Sequence, residues 1–131
     1  TDGDIAGALS VVGENPSNDI YYSTGGAPEG VIAAAALKCF GGQIHGRLIL
    51  DENESERAKK LGIKNPDKKY NIDDMVKGDV IFCASGVTSG DLAEGIKNFE
   101  KTYEVTTYVL HKSQNINKKI RNIYKKWDHF L

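Results

Sequence analysis

Two acidic segments near the start of the sequence contain the residues best suited to chemistry, and each is bounded by glycine. The first is Asp2-Gly3-Asp4, and the second is the stretch 25–30, in which Glu29 follows a Gly-Gly pair and a proline. Carboxylate oxygens are the ligands that Mg²⁺ and Mn²⁺ prefer, and glycine lets a backbone come close to a ligand. These residue types suit a site that holds a polyhydroxylated, phosphorylated compound beside a divalent cation.

Each of these carboxylates also has a simpler explanation. Asp4 is a good N-cap for a short helix that we predict over residues 5–12. Glu29 falls in the first turn of a second predicted helix, residues 28–40, where the helix dipole favours an acid. No further acids follow Asp2-Gly3-Asp4 at the spacing of an EF-hand calcium loop. The residues alone leave both alternatives open, a structural acid or a ligand.

Other sites that glycine, histidine and serine could form are not supported by the spacing. The Gly-rich stretch lacks the GxGxxG pattern of dinucleotide-binding folds and the GKS or GKT of a P-loop. His45, His111 and His129 have no spacing typical of a metal site or a triad, so we expect structural or surface roles for them. Ser23, Ser85 and Ser89 lack a nucleophile-elbow context.

Composition narrows the class of protein. The chain has 131 residues and a formal net charge of −1, so it presents no global field that would attract nucleic acid or an anionic membrane. No apolar run approaches the roughly 20 residues of a membrane span. Cys39 and Cys83 each lie in an apolar stretch, which predicts two buried, reduced thiols and a cytoplasmic location.

The pattern of apolar residues and glycines predicts an α/β layered domain, with a mixed β-sheet flanked by helices. We expect a central helix over residues 28–40 that is buried on all sides, an exposed helix over 52–61 and a helical turn over 71–76. The expected strands are 20–23, 46–50, the strongly apolar 79–84, and 103–111, while residues 92–99 fit either a helix or a strand. The stretch from residue 112 contains six Lys or Arg against one Asp, and we interpret it as a solvated helix face or an oligomer contact rather than a phosphate site.

Five segments together resemble a known family. TDGDIAGAL, STGGAPEGVIAAAALKCFGG, HGRLI, MVKGDVIFCASGVTSGDLAEGI and TTYVL stand in the order and spacing found in class II fructose-1,6-bisphosphatases. These enzymes belong to the lithium-sensitive, inositol-monophosphatase-like sugar phosphatases. The resemblance implies hydrolysis of the 1-phosphate of fructose 1,6-bisphosphate, as in gluconeogenesis. It also implies the C-terminal half of the sugar-phosphatase fold.

The resemblance assigns roles to individual residues. Asp2, Gly3 and Asp4 match the family's sugar-binding DGD, Gly26 matches a substrate-contacting glycine, and Glu29 matches a ligand of a catalytic Mg²⁺ or Mn²⁺. The family's other metal ligands and its catalytic threonine lie upstream of these segments, so no catalytic residue is expected in this half. The basic stretch after His111 departs from the family, whose members more often have an arginine-rich segment there.

We therefore expect residues 1–131 to form one substrate- and metal-binding domain of a larger phosphatase, inactive alone and completed by an N-terminal half. The chain opens at Thr1, without an initiator Met, directly on its first motif, which favours the same interpretation. The resemblance also implies a homo-oligomer. Two alternatives stay open: a relative acting on sedoheptulose 1,7-bisphosphate or an inositol phosphate, and a non-catalytic module that binds a phosphosugar.

Overall fold

The computed structural model describes residues 4–13, 15–90 and 92–126 and contains four helices and six strands in that part of the chain. In chain order they are α1 (Asp4–Leu9), α2 (Ala27–Phe40), β1 (His45–Gly46), α3 (Glu52–Lys60), β2 (Tyr70–Asn71), α4 (Ile72–Met75), β3 (Ile81–Ser85), β4 (Lys97–Asn98), β5 (Thr102–His111) and β6 (Ile116–Lys125). None of the helices described is long and apolar enough to traverse a bilayer.

The central helix α2 has well-defined ends. Pro28 stands in its first turn, where the missing N–H costs no hydrogen bond. Gly41 ends it in the left-handed conformation, φ 74°, which glycine adopts without steric strain. Between these ends the run of alanines gives a slim helix that can approach both α1 and the sheet closely. The prediction of a helix over residues 28–40 is confirmed.

The main sheet is built around β5. β6 pairs antiparallel with the whole length of β5, from Thr102 opposite Lys125 to His111 opposite Ile116. On the other side of β5, β3 pairs with its C-terminal half and β4 with its N-terminal end, again antiparallel. β1 and β2 form a separate two-stranded ribbon. Helices and sheets thus make the predicted α/β layered class, and every strand pairing in the described part is antiparallel.

The core lies on both sides of α2. Towards α1 and α4, the buried cluster contains Ala8, Ala33, Ala34, Leu37 and Ile72. Towards the sheet, Ala36 packs against Phe82 of β3 and Leu110 of β5. Because α2 contributes to both clusters, its position is fixed relative to the sheet and to the small helices.

The helices α3 and α4 follow their sequence signals closely. Asp51 caps α3 by accepting a hydrogen bond from the Glu54 N–H, and the Glu54 side chain accepts one from the Asp51 N–H. Asn71 and Asp74 form the same reciprocal capping box at α4. Both elements were predicted, and both are confirmed.

Two predicted strands are absent from the described residues or much shortened. Residues 20–23 join no sheet: the Tyr21 ring packs on Gly7 of α1 although it is still 39% exposed, and Ile20 and Tyr22 are almost fully exposed. Of residues 46–50, only Gly46 belongs to a strand, since β1 has only the two-residue β2 to pair with. Short apolar runs fit a strand, but a strand also needs a partner.

Burial differs from expectation at β3 and α2. The strand β3 alternates, with Phe82 buried but Ile81 64% exposed and Cys83 exposed, so its apolar run covers only one packed face. Cys39 is half-buried and its burial raises the pKa of its thiol; both cysteines are free, but the expected burial of Cys83 is wrong. α2 is buried on two sides, towards α1 and α4 and towards the sheet, but Pro28, Val31 and Ile32 are exposed, so the expected burial on all sides is wrong.

The basic C-terminal stretch forms a strand, not the helix face that its charges suggested. Ile116, Ile120 and Ile123 favour a strand through their β-branched side chains. Asn115, with φ 51°, makes the tight turn that returns the chain from β5. Residues 92–99, ambiguous in the sequence, contain only the two-residue β4 in their described part. Trp127 to the end lie outside the described residues.

Candidate active site

The first turn of α2 presents the Glu29 carboxylate. Gly26 is the N-cap, in an extended conformation with φ −69° and ψ 143°, and its carbonyl accepts the first helical hydrogen bond, from the Gly30 N–H at 3.0 Å. Glu29 lies three residues further on and is exposed. The helix dipole favours an anion at this position, and the exposed carboxylate stands at the start of a well-anchored helix.

Gly26 is placed so that the Glu29 side chain can fold back over it. A methyl group built on Gly26 would lie 3.0 Å from Glu29 Cδ and closer still to Oε2. The Glu29 carboxylate therefore occupies the space that a side chain at position 26 would fill. The two residues that the sequence singled out in this stretch thus form one structural unit.

The Glu29 carboxylate is available to a ligand. No ion pair or hydrogen bond joins its oxygens to another residue of the described part. Free carboxylate oxygens fit the donor set of Mg²⁺ or Mn²⁺, but one carboxylate does not hold such an ion alone. Within residues 4–13, 15–90 and 92–126 no group of three His, Cys, Asp or Glu side chains could do so.

The remaining predicted site residues lie at or beyond the edge of the described chain. Asp4 is the first residue of α1, the helix that packs against α2, but only its backbone position is described. Asp2 and Gly3 lie outside the described residues. The packing of α1 on α2 brings two of the predicted segments to adjacent helices.

A shallow depression of about 280 Å³ lies beside α1. It is lined by Ala6 and by the loop after β3, including Ser85, Gly86 and Thr88. No role in a site was predicted for this loop, because Ser85 and Ser89 lack a nucleophile-elbow context. Its hydroxyl and backbone groups could contact a polar ligand held near the start of α1.

A second polar cluster, at the turn between β5 and β6, has the composition of a triad but not its geometry. His111 Nε2 lies 2.8 Å from Asp79 Oδ2, and Ser113 Oγ donates to the same oxygen at 2.5 Å. A catalytic triad instead needs the carboxylate on one ring nitrogen and the hydroxyl on the other. Hydrogen bonds from Ser113, which contributes most, and from His111 hold the pKa of the Asp79 carboxyl well below its usual range. The cluster therefore ties the turn to the start of β3, and His111 is structural.

We call residues 26–30, the N-cap and first turn of α2, the α2 entrance. The fold and the α2 entrance define an α/β domain that presents one free carboxylate, that of Glu29, beside a glycine at the start of its central helix. Comparison with known proteins places that domain. The family model of bacterial fructose-1,6-bisphosphatase, glpX-encoded, matches residues 1–124. The chain therefore belongs to this family, as the resemblance predicted.

Curated relatives agree with the family match. A protein of Synechocystis sp. named D-fructose 1,6-bisphosphatase class 2/sedoheptulose 1,7-bisphosphatase is 33% identical over 96% of this chain and 41% of its own length. Proteins with the same name are 34% identical in Synechococcus sp., over 96% of this chain and 40% of theirs, and 37% identical in Trichodesmium erythraeum, over 76% and 33%. The chain thus spans about 40% of the length of the first of these relatives.

Proposed function

We propose that the full-length polypeptide containing this chain is a metal-dependent phosphatase that hydrolyses the 1-phosphate of fructose 1,6-bisphosphate. The products are fructose 6-phosphate and phosphate. Residues 1–131 form its C-terminal substrate- and metal-binding domain. The family match supports this reaction, and the observation that carries the role of the chain is the unpaired Glu29 carboxylate folded over Gly26.

In this reaction the chain supplies one wall of the site. Glu29 provides a carboxylate oxygen to a bound Mg²⁺ or Mn²⁺. When present, such an ion activates water and stabilises charge on the phosphoryl and leaving oxygens. Gly26 leaves the room in which the carboxylate is oriented. Asp2, Gly3 and Asp4 bind hydroxyls of the sugar and so orient the phosphate ester for attack by water.

The substrate range includes a second bisphosphate. The curated relatives are named for both fructose 1,6-bisphosphatase and sedoheptulose 1,7-bisphosphatase. Both substrates are phosphorylated ketoses that differ by one carbon, so a site that binds hydroxyls next to the scissile ester accommodates both. We propose sedoheptulose 1,7-bisphosphate as the second substrate to test.

One carboxylate is too few for catalysis of this kind. Hydrolysis of a phosphate monoester has a large uncatalysed barrier, and metal sites that lower it need several oxygen ligands. The 131-residue chain alone should therefore release no phosphate above background. Phosphate release by the isolated chain would contradict the proposal that the chain supplies only one wall of the active site.

The test is Mn²⁺-dependent release of phosphate from fructose 1,6-bisphosphate by the full-length polypeptide and by its Glu29→Ala variant. Losing a direct ligand should cost at least what losing a residue behind a ligand costs, about 10–100-fold. Phosphate is measured directly, with sedoheptulose 1,7-bisphosphate as the second substrate.

The matched control is Glu52→Ala. Glu52 is also an exposed acid in the first turn of a helix, α3, so both substitutions remove a similar dipole interaction. Activity should persist in Glu52→Ala. Equal activity of the two variants would make Glu29 a dipole partner only, and a wild-type polypeptide that binds the sugar phosphates without hydrolysis would favour the non-catalytic module.

A further inference from the structure

The side of α2 that faces away from the core carries a continuous apolar stripe. Val31 and Ile32 are each 45% exposed, Pro28 is exposed and Ala35 is half-buried. These positions follow the spacing i, i+3, i+4, i+7, which places them along one face of a helix. We call Pro28, Val31, Ile32 and Ala35 the α2 stripe.

The stripe differs from the exposed face of an ordinary surface helix. The exposed side of α3 is strongly charged, with Glu52, Glu56 and Lys60 among its residues. Lys38 is the one charged side chain in the C-terminal half of α2, and it is directed to Asp73 and to the Val76 carbonyl, near α4. A helix that is apolar on all sides is usually buried on all sides, so we expect the stripe to pack against another segment of protein.

Two findings indicate what covers the stripe. The relatives are more than twice as long as the part of them that this chain matches. The stripe also begins at Pro28, next to Glu29, whose carboxylate lacks the further ligands that a divalent cation needs among the described residues. A segment lying on the stripe is therefore positioned to supply those ligands.

We propose that the α2 stripe is the docking surface for the remaining part of the same polypeptide, the part that relatives possess and this chain does not match. That segment packs an apolar face against Val31, Ile32 and Ala35 and brings its own oxygen ligands next to Glu29. The proposal rests on the proposed function only for the identity of those ligands. The packing itself is independent of catalysis.

The test is thiol labelling of single-cysteine additions in the full-length polypeptide, followed by mass spectrometry that resolves each site from Cys39 and Cys83. Val31→Cys lies in the stripe. Leu61→Cys, at the end of α3, is the control, because Leu61 is 78% exposed and remote in sequence from the stripe. Ala35→Cys, a smaller change in the stripe, serves if Val31→Cys does not fold.

In the native polypeptide we expect the stripe cysteine to react at least about tenfold more slowly than the control, because labelling then requires the cover to open. In urea the two sites should react alike. Comparable native rates at both sites would overturn the proposal. Protection that disappears on dilution would also overturn it, since the cover would then be a second copy of this chain.

The readout separates this proposal from the proposed function. If the stripe is protected in a polypeptide that releases no phosphate, the proposed phosphatase activity is refuted and the proposed docking surface is supported. If the stripe cysteine reacts rapidly in an active enzyme, the proposed docking surface is refuted and the proposed activity is supported. A gene that encodes no residues beyond this chain, with a reactive stripe in cell extract, would likewise overturn the proposal.

Discussion

Two glycines of this chain are each needed because a side chain there would meet a neighbour, but the neighbours differ in kind. At Gly26 the space is taken by the flexible end of a side chain, the Glu29 carboxylate. At Gly86, in the loop after β3, it is taken by backbone, because a methyl group there would lie 2.8 Å from the Glu94 carbonyl carbon and closer still to its oxygen. The first glycine serves a site and the second serves the fold.

The surroundings of the two glycines explain this difference. The Gly86 N–H donates a hydrogen bond to the carbonyl oxygen of the buried residue Thr106 at 3.1 Å, and the loop that Gly86 begins is held to residues 93–96 by further backbone hydrogen bonds. Gly26 stands at an exposed helix start, and the carboxylate over it has no partner in the described part of the chain. A glycine packed under an acidic side chain without a partner indicates a ligand site, whereas a glycine packed under backbone indicates that two chain segments cross closely.

The largest expected effect is on activity, from Gly26→Ala in the full-length polypeptide. Its extended backbone suits alanine, so the added methyl group acts mainly by displacing the Glu29 carboxylate. We expect at least about a tenfold loss of phosphate release, with a loss of stability of at most about 1 kcal/mol from the weaker N-cap. Adding Glu29→Ala should cause little further loss, because both changes remove the same interaction. Fully additive losses would contradict the shared role.

The next effect is on stability, from Gly86→Ala. The neighbour is backbone and does not rotate away, so we expect at least the roughly 1–3 kcal/mol typical of overpacking, measured by urea denaturation. Gly90→Ala, in the same loop, is the control, because a methyl group there meets nothing within 4 Å. Equal stabilities of the two variants would show that the loop moves freely and that the comparison with Gly26 fails.

A smaller effect sharpens the contrast between an engaged carboxylate and a free one. The folded state lowers the pKa of Asp79 through hydrogen bonds from Ser113 and His111. The corresponding stability is present above the unfolded pKa of about 3.9 and is lost as pH falls below it towards the folded value. Asp79→Ala should lower the urea midpoint at pH 7 and flatten its decline below about pH 4. Asp67→Ala, which removes an exposed carboxylate, is the control and should leave the midpoint at pH 7 unchanged.

The smallest effect is expected from Gly30→Ala, which tests whether glycine is needed throughout the α2 entrance. Gly30 lies inside the helix, and a methyl group there meets nothing within 4 Å. Alanine should therefore stabilise the helix by about 0.5–1 kcal/mol, seen as a higher urea midpoint. A destabilised Gly30→Ala would mean that the whole entrance, and not Gly26 in particular, requires glycine.

The sequence was most informative where local chemistry decides the structure. Capping residues fixed the starts of α3 and α4, and proline and glycine fixed the ends of α2. It was least informative where the outcome depends on partners distant in the chain. Residues 20–23 form no strand within the described structure, and Cys83 in an apolar run is exposed on β3.

The candidate site divides in the same way. Gly26 and Glu29 were recognised because they are three residues apart in one helix start, and the structure places them in contact. The cluster of Asp79, His111 and Ser113 was missed, since its members come together only when β3 pairs with β5. The placement of Asp2 and Gly3 remains a prediction from the resemblance.

The most direct test of the central claim is Mn²⁺ binding by the full-length polypeptide, measured calorimetrically for the wild type, Glu29→Ala and Glu52→Ala. Our account predicts that Glu29→Ala weakens binding at least about tenfold and that Glu52→Ala leaves it unchanged. Wild-type affinity in the Glu29→Ala variant would contradict the account, because the carboxylate over Gly26 would then hold no metal ion.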